Sequence, residues 1–293
     1  MSQQITKSNQ RPPWELAIWW QSALDQWRRG WAQIPAAAWK TWLITLTIGW
    51  LVSSGIVLWA VWLMHLPLTA PLRQQERVLL QWLVSTRPMA PASANWMDIP
   101  GHPLYLVLII AIVFFTAIRL GRLFEGVTII AGFLLITLSV GLGWLFWARE
   151  RPELVLGGAF SPGLHSFPSG HTAQATTIYG LLAYYWIRDS YRRSEKIFAF
   201  LLLVGAIIVV ALGRLWVAAH WPSDVVVSLL IGTIMVTALA LATQRAKAQI
   251  ALAAPLKDAK GVASATLRTS RLSAPLPPER RSSVVVISQD IIE

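Results

Sequence analysis

The residues whose types and spacing can do chemistry lie in two stretches, Pro168-Ser169-Gly170-His171 and Arg214 with His220 and Asp224. A helix N-terminus exposes unpaired N–H groups and the positive end of a dipole, so it receives anions. Glycine in that turn lets a phosphate come close to the backbone. The plain alternative is that Pro-Ser-Gly only starts a helix. His220 and Asp224 stand four residues apart, with Pro222 at a helix start between them. A carboxylate there can accept from one imidazole nitrogen and leave the other as base or nucleophile. Here the plain alternative is that Asp224 caps the helix. Arg214 argues against it, because a cation at the mouth of an apolar span is costly without a partner and phosphate supplies one. Arg151 adds a second planar fork suited to phosphate oxygens.

The elements that position these groups are read from hydropathy. The chain is 55% hydrophobic and 13% charged, about half the charge of an average soluble protein. Seventeen Trp residues fit the membrane–water interface. Crossing the hydrocarbon core takes about 20 mainly apolar residues. Six segments are predicted to do so: Thr41–Met64, Pro103–Ile118, Gly126–Ala148, His171–Ile187, Ile197–Gly213 and Asp224–Thr243. The first apolar run begins some 40 residues in and is too long for the core of a signal peptide. The expected fold is therefore an all-α integral membrane protein with six transmembrane helices. Its expected domains are a cytoplasmic N-terminal segment (1–40), a six-span core (41–245) and a disordered basic tail (246–293).

Orientation follows from Lys and Arg. Lys7, Arg11, Arg28, Arg29 and Lys40 precede the first span, Arg119 and Arg122 follow the second, and Arg188, Arg192, Arg193 and Lys196 follow the fourth. The tail after Thr243 is also basic. All of these fall on one side of a six-span chain, which predicts cytoplasmic N- and C-termini. Arg73, Arg77, Arg87, Arg149, Arg151 and Arg214 are left on the outer side, together with the chemical residues.

Two further stretches read as amphipathic helices. Leu16, Trp20, Leu24, Trp27, Trp31 and Ile34 recur at helical spacing after Pro12 and Pro13. This is the pattern of a helix lying on the cytoplasmic leaflet, with a homodimer contact as the alternative. Leu72–Ser85 carries a weaker stripe and is expected to form a rim over the outer face. The net charge of +11 does not point to nucleic acid, because the cations lie between spans and in the tails. There is no cysteine, which excludes disulfides and thiolate chemistry.

Two His, two Arg, a Ser and an Asp on one face make a metal-free phosphoryl-transfer site: a histidine attacks and a second protonates the leaving oxygen. The arginines and backbone N–H groups hold the charge that develops. No cofactor is expected, since two guanidinium groups repel a metal ion and no tight ligand cluster accompanies them. His65 and His102 are expected to have no role.

At these residues the sequence resembles the type 2 phosphatidic acid phosphatase family, related to vanadium haloperoxidases and glucose-6-phosphatase. That family's pattern is Lys, six residues, Arg-Pro; then Pro-Ser-Gly-His; then Ser-Arg, five residues, His, three residues, Asp. Pro168–His171 matches the second part completely, and Arg214, His220 and Asp224 match the third in spacing. The resemblance implies His220 as nucleophile, Asp224 as its orienting partner and His171 as acid. Arg151, Ser169, Gly170 and Arg214 are implied to bind phosphate. It departs at Trp144, where the family has Lys, and at Gly213, where it has Ser. One lost charge-assisted contact costs about 2–4 kcal/mol in a transition state.

The function so implied is a lipid phosphatase, and the compact six-span design points to the bacterial inner membrane, with the site on the periplasmic or extracellular face. Its substrate would be a lipid phosphate of the undecaprenyl diphosphate, phosphatidylglycerol phosphate or phosphatidic acid type. A phosphotransferase with another acceptor, or a weakened protein that binds lipid phosphate without turning it over, are the alternatives.

Overall fold

The computed structural model describes residues 34–86, 95–152 and 165–272, together with Gln21, Asp25, Arg28, Trp31 and Ala32. The N-terminal stripe otherwise lies outside the described residues. All regular elements among the described residues are helical: α1 (Ala36–His65), α2 (Ala70–Ser85), α3 (Pro103–Arg119), α4 (Leu123–Phe146), α5 (Gly170–Asp189), α6 (Arg193–Trp216) and α7 (Pro222–Leu272). Short 3₁₀ segments at Pro67–Thr69 and Asn95–Gly101 precede α2 and α3. The chain is an all-α, multi-pass membrane protein.

Proline and glycine set the helix ends. Pro103 and Pro222 occupy first turns, where a missing N–H costs nothing and the ring presets φ. Gly121, at φ 68°, lies just past α3 in the left-handed conformation that closes many helix ends. The N-cap of α5 is Ser169, whose hydroxyl accepts from Thr172 N at 3.5 Å.

Helices occur at all six predicted spans, but they are not alike. Ala36–His65, Leu123–Phe146, Arg193–Trp216 and Pro222–Ala253 are long and apolar enough to cross a membrane. α3 is shorter at 17 residues. α5 has the length but carries Thr172, Gln174, Thr176 and Thr177, all buried. It packs against α3, α4 and α6, so its polar side chains face protein rather than lipid. Thr176 and Thr177 donate to backbone carbonyls one turn back, and Gln174 donates to Thr137 of α4 at 2.9 Å. An enclosed helix can keep its polar groups satisfied in this way.

Small residues let the helices come close. A Cβ at Gly232 of α7 would stand 2.7 Å from Thr176 Cβ of α5. A Cβ at Gly49 of α1 would stand 2.2 Å from Ala238 Cβ of α7. At one end of the bundle, the buried Glu125 of α4 meets Arg188 of α5 and Lys247 of α7. The C-terminal ends of α4 and α6 and the N-terminal ends of α5 and α7 meet at the other.

Two units, Met1–Ile250 and Ala251–Glu293, divide the chain. The α7 helix runs past Thr243 to Leu272, through an Ala-rich stretch for which the sequence predicts no regular element. Alanine's high helix propensity, rather than an amphipathic pattern, accounts for helix there.

Candidate active site

α4 ends at Phe146, so Trp147–Pro152 leaves the bundle without helical twist. Phe167–Pro168 then returns over α4. Gly143 makes room for it, since a Cβ there would stand 2.2 Å from Pro168 Cδ and 3.0 Å from Phe167 O. The Ser169 amide reaches Asp224 O at 3.5 Å. This bond joins the α5 N-terminus to the α7 N-terminus and brings the two chemical stretches together.

His220 is 1% exposed, in the turn between α6 and α7. Its Nδ1 lies 2.6 Å from the Ser166 carbonyl oxygen. A carbonyl can only accept, so Nδ1 carries the proton and the Nε2 lone pair is left for chemistry. Asp224 Oδ2 is 3.6 Å from Nδ1, beyond hydrogen-bond distance. Ser166 O therefore makes the direct contact that the sequence pattern assigns to Asp224. Burial depresses the imidazole to about 4, with the Asp224 carboxylate pulling the other way. His220 is thus neutral at pH 7.

Asp224 is fully buried and has other partners. Oδ2 accepts from Trp221 N at 2.9 Å, and Oδ1 accepts from Arg149 Nη1 at 2.5 Å. Arg149 also donates to Ser223 Oγ and to Glu76 Oε2, both at 2.8 Å. Glu76 Oε1 in turn accepts from Ser223 N at 2.6 Å, capping α7 from the rim helix α2. Arg149 is therefore no stand-in for the family's lysine. It bridges two buried carboxylates behind the imidazole.

Trp144 lies against the backbone of the phosphate-binding candidates. Its Nε1 donates to Pro168 O at 3.3 Å, and its ring is 3.6 Å from where a Gly170 Cβ would stand. The indole fills space here and offers no charge.

Arg151 is 7% exposed and donates to Ala219 O and His165 O, each at 3.3 Å. Arg214 is 2% exposed and pairs with Asp98. Ala219, the residue before His220, accepts from Arg151 through its carbonyl and donates its N–H to Arg214 O at 3.0 Å, so both arginines bond to the chain beside His220. His102, assigned no role from sequence, packs edge-on against His171 with ring centroids 5.9 Å apart. His65 packs on Trp147 instead. The remaining candidates, Ser169 and Gly170, form the α5 N-terminus beside this cluster.

Three groups at the site carry no signal in the sequence. Glu76 sits on a rim helix with the look of a surface element, and Ser166 contributes only a carbonyl. Asp98 lies in the 3₁₀ segment Asn95–Gly101, which has no motif. Burial holds its carboxyl above the usual range, against the pull of Arg214. Gly213 explains how Asp98 gets there. A Cβ at 213 would stand 2.7 Å from Met97 Cβ, so glycine in place of the family's serine lets this segment lie on α6.

The model of the PAP2 superfamily matches residues 127–248. The first transmembrane PAP2 type phosphatidylglycerolphosphate phosphatase from Bacillus subtilis is similar over 67% of this chain and 92% of its own, at 17% identity and TM-score 0.55. The LpxE structure from Aquifex aeolicus is similar over 54% of this chain and 90% of its own, at 24% identity and TM-score 0.44. No curated protein matches. At such identities the likeness to the phosphatidylglycerolphosphate phosphatase is one of fold.

Proposed function

We propose that the protein is a membrane lipid phosphatase working through a phosphohistidine, a reading supported by the match of residues 127–248 to the PAP2 superfamily model. The observation that carries this reading is the anchored imidazole. With Nδ1 held by Ser166 O, the Nε2 lone pair of His220 attacks phosphorus and the bond from phosphorus to the lipid oxygen breaks. His171 gives that oxygen its proton. Water then attacks the phosphoryl group, His171 takes a proton from it, the P–N bond breaks and phosphate leaves. Arg151, Arg214, Ser169 and the Gly170 amide hold the phosphoryl oxygens, where fixed donors favour the charge of the transition state.

Asp224 acts on His220 through space at 3.6 Å, a distance at which a carboxylate still favours a developing imidazolium. It is itself fixed by Arg149 and Trp221 N. No residue in this scheme needs a metal.

Six spans, N- and C-terminal ends in the cytoplasm and the site at the outer face of a bacterial inner membrane complete the proposal. The distribution of Lys and Arg supports that orientation. The substrate is a lipid phosphate of the undecaprenyl diphosphate, phosphatidylglycerol phosphate or phosphatidic acid type, and a site among span ends suits a lipid.

Phosphate release from a panel of these lipids by the detergent-purified protein, beside His220→Ala, tests the reading. Release by the wild type alone, without added metal, is expected. A folded wild type as silent as the variant across the panel overturns it, and Trp144 then favours a protein that binds lipid phosphate without turnover. Activity that appears only with an added hydroxyl acceptor indicates a phosphotransferase.

A further inference from the structure

Beside the reacting centre, on the side of the rim helix, lies a cavity of about 590 Å³. It is lined by Arg73, Gln74 and Arg77 of α2, by Trp147, Arg149 and Glu150 of the segment after α4, and by Trp221. Trp221 follows His220 directly, and Arg149 is bonded to Asp224, so this cavity shares a wall with the site without containing its histidines.

Part of the positive charge lining the cavity has no carboxylate partner among the described residues. Arg149 stacks between two indoles, 4.8 Å from Trp147 and 5.2 Å from Trp221, and is already met by Glu76 and Asp224. It forms a rigid wall. Arg73 Nη1 donates to Met64 O and Thr69 Oγ1, each at 2.6 Å, which fixes the guanidinium at the C-terminal end of α1. Among the described residues, neither Arg73 nor Arg77 has a carboxylate partner. Glu150 is the one acid lining the cavity. An anchored arginine and an exposed one thus face an open polar volume with a net positive balance. Arginine forks bind phosphate oxygens two at a time, and anchoring Arg73 beforehand lowers the entropy lost on binding.

We propose that this cavity is an anion subsite that takes a second phosphate group of the lipid head, beyond the phosphate attacked by His220. The inference rests on the phosphatase reading and sharpens its substrate class. Lipids with two phosphate groups in the head are preferred to those with one. The chemistry is that of any phosphate, so free phosphate is the other source of an occupant.

The test compares phosphatidylglycerol phosphate, with two phosphate groups, and phosphatidic acid, with one, on the wild type, Arg77→Ala and Arg73→Ala. Arg77 is exposed and makes no hydrogen bond or ion pair among the described residues, so its variant reads the subsite without unfolding. For phosphatidylglycerol phosphate, KM is expected to rise roughly tenfold in Arg77→Ala with kcat unchanged, as a lost charge-assisted bond would give. For phosphatidic acid, neither constant should change. Equal changes for both lipids, or none for either, overturn the subsite. Inorganic phosphate as inhibitor separates the two sources. If Arg77→Ala weakens its inhibition of phosphatidic acid turnover, free phosphate occupies the cavity and the lipid assignment fails. Equilibrium binding of the same two lipids in detergent keeps the inference apart from the phosphatase reading. Tighter binding of the two-phosphate lipid, lost in Arg77→Ala, supports the subsite even if nothing is turned over, and equal binding of both lipids removes it.

Discussion

Replacing Arg149 by alanine strikes the contact that joins the rim helix to the reacting centre. Arg149, Glu76 and Asp224 have side chains 9%, 4% and 0% exposed. Removing the guanidinium leaves two buried carboxylates facing each other with no cation between them. Breaking a buried ion pair from one side costs about 3–5 kcal/mol. At roughly 2–4 °C per kcal/mol for a chain of this size, the unfolding midpoint should fall by about 6–20 °C. Tryptophan fluorescence during heating, in one detergent throughout, measures it. Turnover should fall as well, because Asp224 loses the partner that holds it near His220. Adding Glu76→Gln removes one of the two opposed charges, so the double variant should regain part of the loss, with a coupling of about 1–3 kcal/mol. A midpoint within about 1 °C of wild type for Arg149→Ala, or no recovery in the double variant, refutes the bridging role.

Gly213→Ser restores the family's residue but puts a Cβ 2.7 Å from Met97 Cβ. It should destabilise the protein by about 1–3 kcal/mol and loosen Asp98 from Arg214. Thermal unfolding and KM measure these effects, and a stable, faster variant contradicts the packing argument. Trp144→Lys, if folded, should raise kcat by adding a cation beside the α5 N-terminus. A steady-state assay showing a loss means that the pocket is built around the indole. The His220 imidazole should stay neutral until the pH approaches about 4. The group is depressed, so its neutral form persists below the ordinary histidine range and is lost only as pH falls through the lower value. An imidazole NMR signal that is absent in His220→Gln should titrate there, and titration near 6.5 contradicts the burial.

The sequence makes legible the parts of this molecule that repeat or that lipid enforces. Long apolar runs set α1, α4, α6 and α7 apart, because a helix facing hydrocarbon has no other option. α5 is harder to read as a span, since a helix enclosed by neighbours can be polar, and Thr172, Gln174 and Thr176 give no hint of what encloses them. Within the candidate site, His171, Arg151, Arg214, His220 and Asp224 stand in short motifs and can be singled out from residue types and spacing alone. Glu76 and Asp98 cannot. Each reaches the site through packing between segments more than 70 residues apart in sequence, and a carboxylate on a rim helix looks like a solvated one. The contact between His220 and Ser166 is invisible in the sequence for another reason: every residue has a carbonyl, so no side chain marks the one that is used.

The central claim is that His220 takes the phosphoryl group, and trapping that intermediate tests it most directly. The purified protein is mixed with a lipid substrate labelled in its terminal phosphate, quenched in alkaline denaturant within milliseconds and analysed for protein-bound label. The account predicts label on a peptide containing His220, stable in alkali and lost in mild acid as a phosphoramidate is, and none in His220→Ala. Active wild-type enzyme that never carries such label under single-turnover conditions, or a His220→Ala variant that releases phosphate at the wild-type rate, contradicts it.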